Sequence, residues 1–203
     1  DYAFADKHLL SLVYTTAFTD VKPYATVTGA QNSVTDSRSE GQLHNAKLDY
    51  QTPFGLKAGA EFTYYHSPGS QLLHSTLGEE TMNFLSRDNQ RINQWRFYAG
   101  QEHTLGKDWG LNYGVTYTTA LDNSYQMYYD PETEAPLPDN NMKSRRREQT
   151  VNFYAGLSKS FGEKLSADVS LAAEQYHTDM WNEWNLYPVA NLTYLPASGH
   201  ILQ

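Results

Sequence analysis

The 203-residue sequence contains no cysteine, which excludes a disulfide framework, a thiolate nucleophile and any Cys-based zinc site. It also has no long hydrophobic run. Nowhere do apolar residues approach the roughly 20 in succession that a membrane-crossing helix requires. Apolar residues make up only 39% of the chain, a low share for a soluble domain with a sizeable core. Basic side chains are outnumbered, 15 Lys and Arg against 23 Asp and Glu, for a formal net charge of -8. That balance argues against nucleic acid as a partner. Aromatic residues fill the gap left by scarce aliphatics: 16 Tyr, 8 Phe and 4 Trp, types that suit strands and membrane interfaces.

Tight turns punctuate the chain at Pro53-Phe54-Gly55, Gly106-Lys107-Asp108 and Gly162-Glu163. Each joins two runs in which apolar and polar residues alternate. Leu56, Ala58, Ala60, Phe62 and Tyr64 oppose Lys57, Gly59, Glu61 and Thr63. Trp109, Leu111, Tyr113, Val115 and Tyr117 repeat the pattern, as do Val151, Phe153, Ala155, Leu157 and Phe161, with Lys159 as the exception. Leu165, Ala167, Val169, Leu171 and Ala173 follow it too. Period two sustained this long is a strand signal, at about the length a tilted strand needs to cross hydrocarbon. Less regular runs begin near His8 and extend towards Thr28, lead through Ala46, Leu48 and Tyr50, pass Trp95, Phe97 and Ala99, and end at Leu186–Tyr194. Pro188 lies inside the last and suggests a bulge. The reading is about eight strands in up-down order plus the start of another.

Between the tight turns, residues 66–90 and 121–147 read as long polar loops. Short turns at one end and long loops at the other is the wiring of a transmembrane β-barrel. Three features favour that over a soluble sandwich. Charged residues (Lys57, Glu61, Arg96, Glu102, Asp168) occupy the polar faces, as in a wet lumen. Several strands outrun the five or six residues, roughly, of a sandwich strand. Tyr50, Phe54, Trp109 and Phe161 gather near the turns, where an interfacial girdle belongs. The expected fold class is therefore all-β, an antiparallel up-and-down transmembrane barrel, with residues 1–203 as a single barrel region.

Groups able to carry chemistry are sparse. Asp130, Glu132, Glu134 and Asp139 form an acidic, Pro-rich stretch without the regular ligand spacing of a calcium loop. His44, His66, His74, His103, His177 and His200 show no paired metal-ligand spacing. Ser, His and Asp are present without a Gly-x-Ser-x-Gly context. No catalytic residue, metal or cofactor is called for. Asn191-Leu192-Thr193 matches a glycosylation sequon, which has no meaning if the protein is bacterial and the segment a strand. Arg145-Arg146-Arg147 reads as a charged strand mouth, with an anionic ligand or lipopolysaccharide phosphate as the sharper alternative. Tyr125, Met127, Tyr128 and Tyr129, with Tyr176, Trp181 and Trp184, form two aromatic clusters on the long-loop side. They read as an upper girdle, with a ligand vestibule as the alternative, because aromatic faces grip sugars and hydrophobic nutrients.

Asp1-Tyr2-Ala3-Phe4-Ala5-Asp6-Lys7-His8-Leu9-Leu10-Ser11-Leu12, Ala46-Lys47-Leu48-Asp49-Tyr50 before Pro53-Phe54-Gly55, and Asn185-Leu186-Tyr187-Pro188-Val189-Ala190 resemble landmarks of a known family. It is the outer-membrane β-barrel family of Bacteroidota, similar to TonB-dependent receptors. The resemblance runs along nearly the whole chain and implies an internal portion of a barrel of about 22 strands. It also implies uptake of a nutrient such as a glycan fragment, peptide or iron chelate. Outer-membrane lipid would be a partner, with a TonB complex and a surface lipoprotein acting through the complete receptor. Neither chain end looks like a natural boundary, so a longer protein is expected. The alternatives are a small closed structural barrel of about eight strands and an outer-membrane barrel hydrolase.

Overall fold

The computed structural model describes residues 2–4 and 8–195. They form one antiparallel sheet of ten strands: β1 (Tyr2–Phe4), β2 (His8–Val21), β3 (Tyr24–Val27), β4 (Gln31–Gln51), β5 (Leu56–Leu77), β6 (Glu80–Leu105), β7 (Trp109–Tyr129), β8 (Met142–Phe161), β9 (Leu165–Thr178) and β10 (Asn182–Tyr194). Each strand pairs with its neighbours in sequence, except that β2 and β3 both pair with β4 and not with each other. β3 continues the path of β2 along β4, because Val21↔Ser39 and Tyr24↔Asp36 share one register. Lys22-Pro23 interrupts the ladder between them, where proline has no N–H to donate. With β2 and β3 as one path, the eight expected strands are present, and β1 adds a short one at the edge. The strand start expected near Gly199 lies outside the described residues.

Register settles which side chains share a face, since directly paired residues in an antiparallel ladder point the same way. Leu12↔Leu48, Leu48↔Ala60, Ala60↔Phe97, Phe97↔Tyr117 and Tyr117↔Val151 carry one apolar row across the sheet. Leu111↔Leu157, Leu157↔Val169 and Val169↔Ala190 carry another. Every alternating run therefore contributes its apolar side to the same face. The opposite face holds Lys47, Asp49, Lys57, Glu61, Arg96, Asn112, Asn152, Ser158 and Asp168.

Among the described residues no hydrophobic side chain is buried, while Leu12 is 70% exposed, Leu186 66% and Val169 62%. An exposed apolar face spanning a whole sheet is far beyond what a monomer keeps in water. Lipid is the solvent that accounts for it. Lys159, the one cation at the apolar positions of the alternating runs, lies at the margin of the band with Nζ 4.4 Å from the Trp109 ring centroid and 5.0 Å from that of Phe161. Its charge rests on aromatic faces at the interface rather than in hydrocarbon.

Two expectations are corrected. Residues 66–90 are not a loop: β5 and β6 pair without interruption from Leu56↔Gln101 to Leu77↔Glu80 and close on Gly78-Glu79, with Gly78 at φ 61°. Similarly, β7 and β8 extend through Tyr129 and from Met142, leaving residues 130–141 as the connection. These extensions stand beyond the apolar band, with polar residues on both faces, so no alternation announced them. Pro188 makes no bulge either. β10 pairs with β9 in constant register from Asn182↔His177 to Tyr194↔Leu165. Proline lacks an N–H to donate, yet the pairing with β9 keeps its register on both sides of it.

The expected tight turns are as read. Gly55, Gly106 and Gly162 have φ of 90°, 73° and 69°, a region open to glycine and costly for other residues. Among the described residues the sheet does not close on itself: β1 and β10 are its two ends. The segment at Leu9–Phe18 pairs with β4 and the segment at Leu186–Tyr194 with β9, so the chain's terminal strands lie apart. A small barrel closed by these two segments is not what forms.

Candidate functional site

The polar face is organised rather than merely wet. Lys47 pairs with Asp49 at 2.9 Å, and the Tyr98 hydroxyl donates to the same carboxylate. The Tyr98 ring lies between two cations, 5.7 Å from Lys47 and 5.4 Å from Arg96. Arg96 reaches Glu61 at 3.8 Å, and Asn45 donates to Glu61 at 2.9 Å and to Thr63 at 2.8 Å. Nearer the short turns, Lys57 meets Glu102 at 3.6 Å. Half-exposed pairs of this kind add little stability each. Their effect is to fix the charge pattern that a polar partner inside the barrel would meet.

Glycines make room for this pattern. Gly59 pairs directly with Tyr98, and Gly114 with Tyr154. A Cβ on Gly114 would stand 2.7 Å from the Tyr154 ring and 2.6 Å from the backbone oxygen of Ala99. The rings therefore lie flat over glycine, covering backbone that glycine leaves bare. The alternating inward Gly residues opposite Tyr are the sequence signal for this device.

Histidines serve the outward face. The Tyr14 hydroxyl lies 2.7 Å from His44 Nδ1, and the His44 ring is flanked by Phe18 at 5.6 Å and Tyr64 at 6.1 Å. At the other margin, His103 Nε2 and the Tyr113 hydroxyl are 3.1 Å apart, and His8 and Tyr50 stack at 5.8 Å. These are amphipathic belts at the two edges of the apolar band. Among the described hydrogen bonds no Ser, His and Asp come together as a triad, and no three described His, Asp or Glu gather to hold a metal.

The acidic stretch is a structured turn. Asp130 Oδ1 accepts from the backbone N–H of Thr133 at 2.8 Å and of Glu132 at 3.0 Å, and from the Thr133 hydroxyl at 2.8 Å. These donors hold the Asp130 carboxyl below its ordinary pKa, the Thr133 backbone N–H contributing most. Glu134, at φ 52°, pairs with Arg87 at 3.0 Å.

The six aromatic residues singled out as ligand candidates do not converge. By strand parity Tyr125, Tyr129 and Trp184 face outward, whereas Tyr128 and Tyr176 face inward. Trp181 lies in the connection after Thr178, whose hydroxyl accepts from its N–H at 3.2 Å. Tyr176 is level with Thr118, and Tyr128 lies ten residues further along β7, on the order of 33 Å at strand rise. Tyr128 packs edge-on against Phe84 at 5.4 Å, and its N–H donates to Asn141 Oδ1 at 2.8 Å. Tyr129 lies under the Arg87 guanidinium at 5.0 Å. A groove of about 630 Å³ between β6, β7 and β8 touches Tyr125 and none of the other five.

An up-and-down sheet with a lipid-facing side, a charge-patterned inner side and strands of unequal reach matches a family model over residues 2–203, that of the TonB dependent receptor-like β-barrel. The chain belongs to this TonB-dependent receptor β-barrel family. Barrels of this family lie in the outer membrane of Gram-negative bacteria, and that is where this one resides. Among solved structures, the chain is similar to the ferric preacinetobactin receptor BauA of Acinetobacter baumannii, at 10% identity and TM-score 0.45 over 96% of this chain and 44% of that one. It is also similar to the copper transporter OprC, at 11% identity and TM-score 0.44 over 94% and 39%. The ferric citrate transporter FecA in its unliganded form follows, at 9% identity and TM-score 0.32 over 94% and 42%. This receptor-barrel chain thus spans about two fifths of the length of the solved structures it matches. No curated protein matches it.

Proposed function

We propose that this chain is a wall segment of a larger outer-membrane receptor of about 22 strands, which takes up a nutrient in an energised, TonB-dependent manner. The supporting observation is the two-faced sheet with free ends. Unpaired N–H and C=O groups at β1 and β10 would cost several kcal/mol each in lipid, so further strands must continue the wall. The charge-patterned inner face suits a polar plug or permeating solute rather than a packed apolar core. Single-region organisation and the absence of an enzymatic role belong to the same reading. So do contacts with TonB and a surface lipoprotein, made through the complete receptor. Glycan fragments, peptides and iron chelates are the substrate classes. Of the aromatic candidates, Tyr128 and Tyr176 are the ones proposed to meet solute, because parity turns them inward.

Orientation follows from reach beyond the apolar band: residues 53–55, 106–108 and 162–163 turn at its edge and lie on the periplasmic side, whereas the long extensions ending in the Gly78-Glu79 turn and in residues 130–141 lie outside. Cysteine at Glu79 in the complete receptor should react with an impermeant maleimide on whole cells, and cysteine at Lys107 should not. The function is tested by deleting the complete gene and screening growth on scarce iron chelates, peptides and glycan fragments. Growth on at least one should fail and be restored by the gene only in cells that have TonB. Restoration without TonB would overturn energised uptake.

A further inference from the structure

Arg145, Arg146 and Arg147 are consecutive on β8, so the pleat sends the middle one to one face and its neighbours to the other. Arg146 faces inward, where Glu148 receives its guanidinium at 2.8 Å and Asp122 stands opposite it in the ladder. Arg145 and Arg147 face outward with Lys143. Arg91 and Arg87 face outward on β6, two strands away. The register sets Arg91, Asn123 and Arg145 in one row. Arg147 lies one row lower beside Leu121, and Lys143 one row higher beside Tyr125.

Rows on one face are about 7 Å apart and two strand spacings span about 10 Å, so these cations form one patch. All five are exposed. The outward positions of β6, β7 and β8 in this region carry no acid. The one carboxylate that reaches them, Glu134 from the connection after β7, is taken by Arg87 at 3.0 Å. Arg91, Lys143, Arg145 and Arg147 make no ion pair among the described residues. In a chain of net charge -8, where the adjacent inward arginine has its acid, four uncompensated cations together on the lipid-side face need a counter-charge from outside the chain.

Height says where it comes from. The apolar band ends at the row of Phe62, Trp95, Thr119 and Gln149, and Arg147 begins the next row. The patch therefore lies in the headgroup layer of the leaflet on that side. We propose that Arg91, Lys143, Arg145 and Arg147 bind the phosphate groups of a phosphorylated glycolipid of the outer leaflet. Guanidinium forks match phosphate oxygens geometrically, and basic side chains at an anionic surface hold it by charge. The site rests on the orientation given above, which maleimide labelling tests by itself.

The experiment uses the complete receptor in mild detergent, with purified lipopolysaccharide as probe and native mass spectrometry as readout. R91Q/R145Q/R147Q should lower lipopolysaccharide affinity by roughly a hundredfold, given the ordinary worth of a basic residue at an anionic membrane surface. R146Q should stay within about twofold, since that charge faces the lumen and is already paired. Enzymatically dephosphorylated lipopolysaccharide should bind the unaltered receptor as weakly as the intact lipid binds the triple variant. Should the triple variant lose heat-modifiability and so fail to assemble, this last comparison decides alone. Undiminished binding by the triple variant, equal loss in R146Q, or equal binding of the dephosphorylated lipid would each overturn the proposal.

Discussion

The lower and upper halves of β5 and β6 share one ladder and one register, yet they are written in different residues. From Leu56 to Tyr64 the outward positions are Leu, Ala, Ala, Phe and Tyr, and the inward ones Lys, Gly, Glu and Thr. From His66 to Leu77 the outward positions are His, Pro, Ser, Leu, His and Thr, and the inward ones Ser, Gly, Gln, Leu, Ser and Leu. Backbone hydrogen bonding cannot explain the contrast, because it is the same in both. What changes is the solvent on the outward side. Hydrocarbon there and water inside force an alternation; water on both sides removes the reason for one. Periodicity therefore reports a difference between two media, and a strand between two like media is silent.

The sharpest way to break this comparison is to place arginine on the outward face at two heights. In the complete receptor, Val169→Arg inside the apolar band, one row from Lys159, should cost about 2 kcal/mol by reversible unfolding in lipid. Ser170→Arg on the inner face should cost far less, and Leu72→Arg in the upper hairpin should stay within about 0.5 kcal/mol, as surface substitutions do. Equal penalties at Val169 and Leu72 would mean the upper outward face is also in lipid.

A second contrast uses glycine. Gly114→Ala drives a Cβ against the Tyr154 ring and the fixed Ala99 carbonyl, so a loss of about 1–3 kcal/mol from overpacking is expected. Gly69→Ala in the upper hairpin first meets the Asp88 carboxylate at 2.6 Å, a flexible end that can move. It should be neutral within about 0.5 kcal/mol.

Smaller still is Lys159→Gln, which removes the ammonium from the Trp109 ring and should cost about 0.5–1 kcal/mol. The smallest effect is local to residues 130–135. Because the Asp130 pKa is lowered, its carboxylate supports the turn fully above the ordinary carboxylate value. That support is lost as pH falls through the lowered one. The Glu132 and Thr133 amide resonances should shift in acid in the native receptor and not in Asp130→Asn, while the sheet ladder stays unchanged.

These contrasts also explain what could be read in advance. The runs at 56–64, 109–117, 151–161 and 165–173 were legible because each residue pair straddles lipid and lumen. Residues 66–77, 80–90, 121–129 and 142–147 read as loop because both their faces are wet. Pro188 suggests a bulge because composition cannot show that the pairing with β9 runs past it in one register. The ligand candidates Tyr125, Tyr128 and Tyr129 look like one cluster because adjacency in sequence is visible, whereas the upper end of β7 that splits them between two faces carries no apolar alternation to show it.

By itself the sequence determined the strand-and-turn grammar: alternation at the bilayer's length, glycine at left-handed turn positions, and aromatic residues at the margins. Each of these is a local consequence of solvent contrast or backbone sterics, so a single segment suffices to show it. Only the tertiary structure decided that every apolar run shares one face, that Arg146 is answered while Arg145 and Arg147 are not, and that the first and last strands remain unjoined. Those depend on which residues stand opposite one another in the ladder. Register is a property of pairs of strands, and no strand carries it alone.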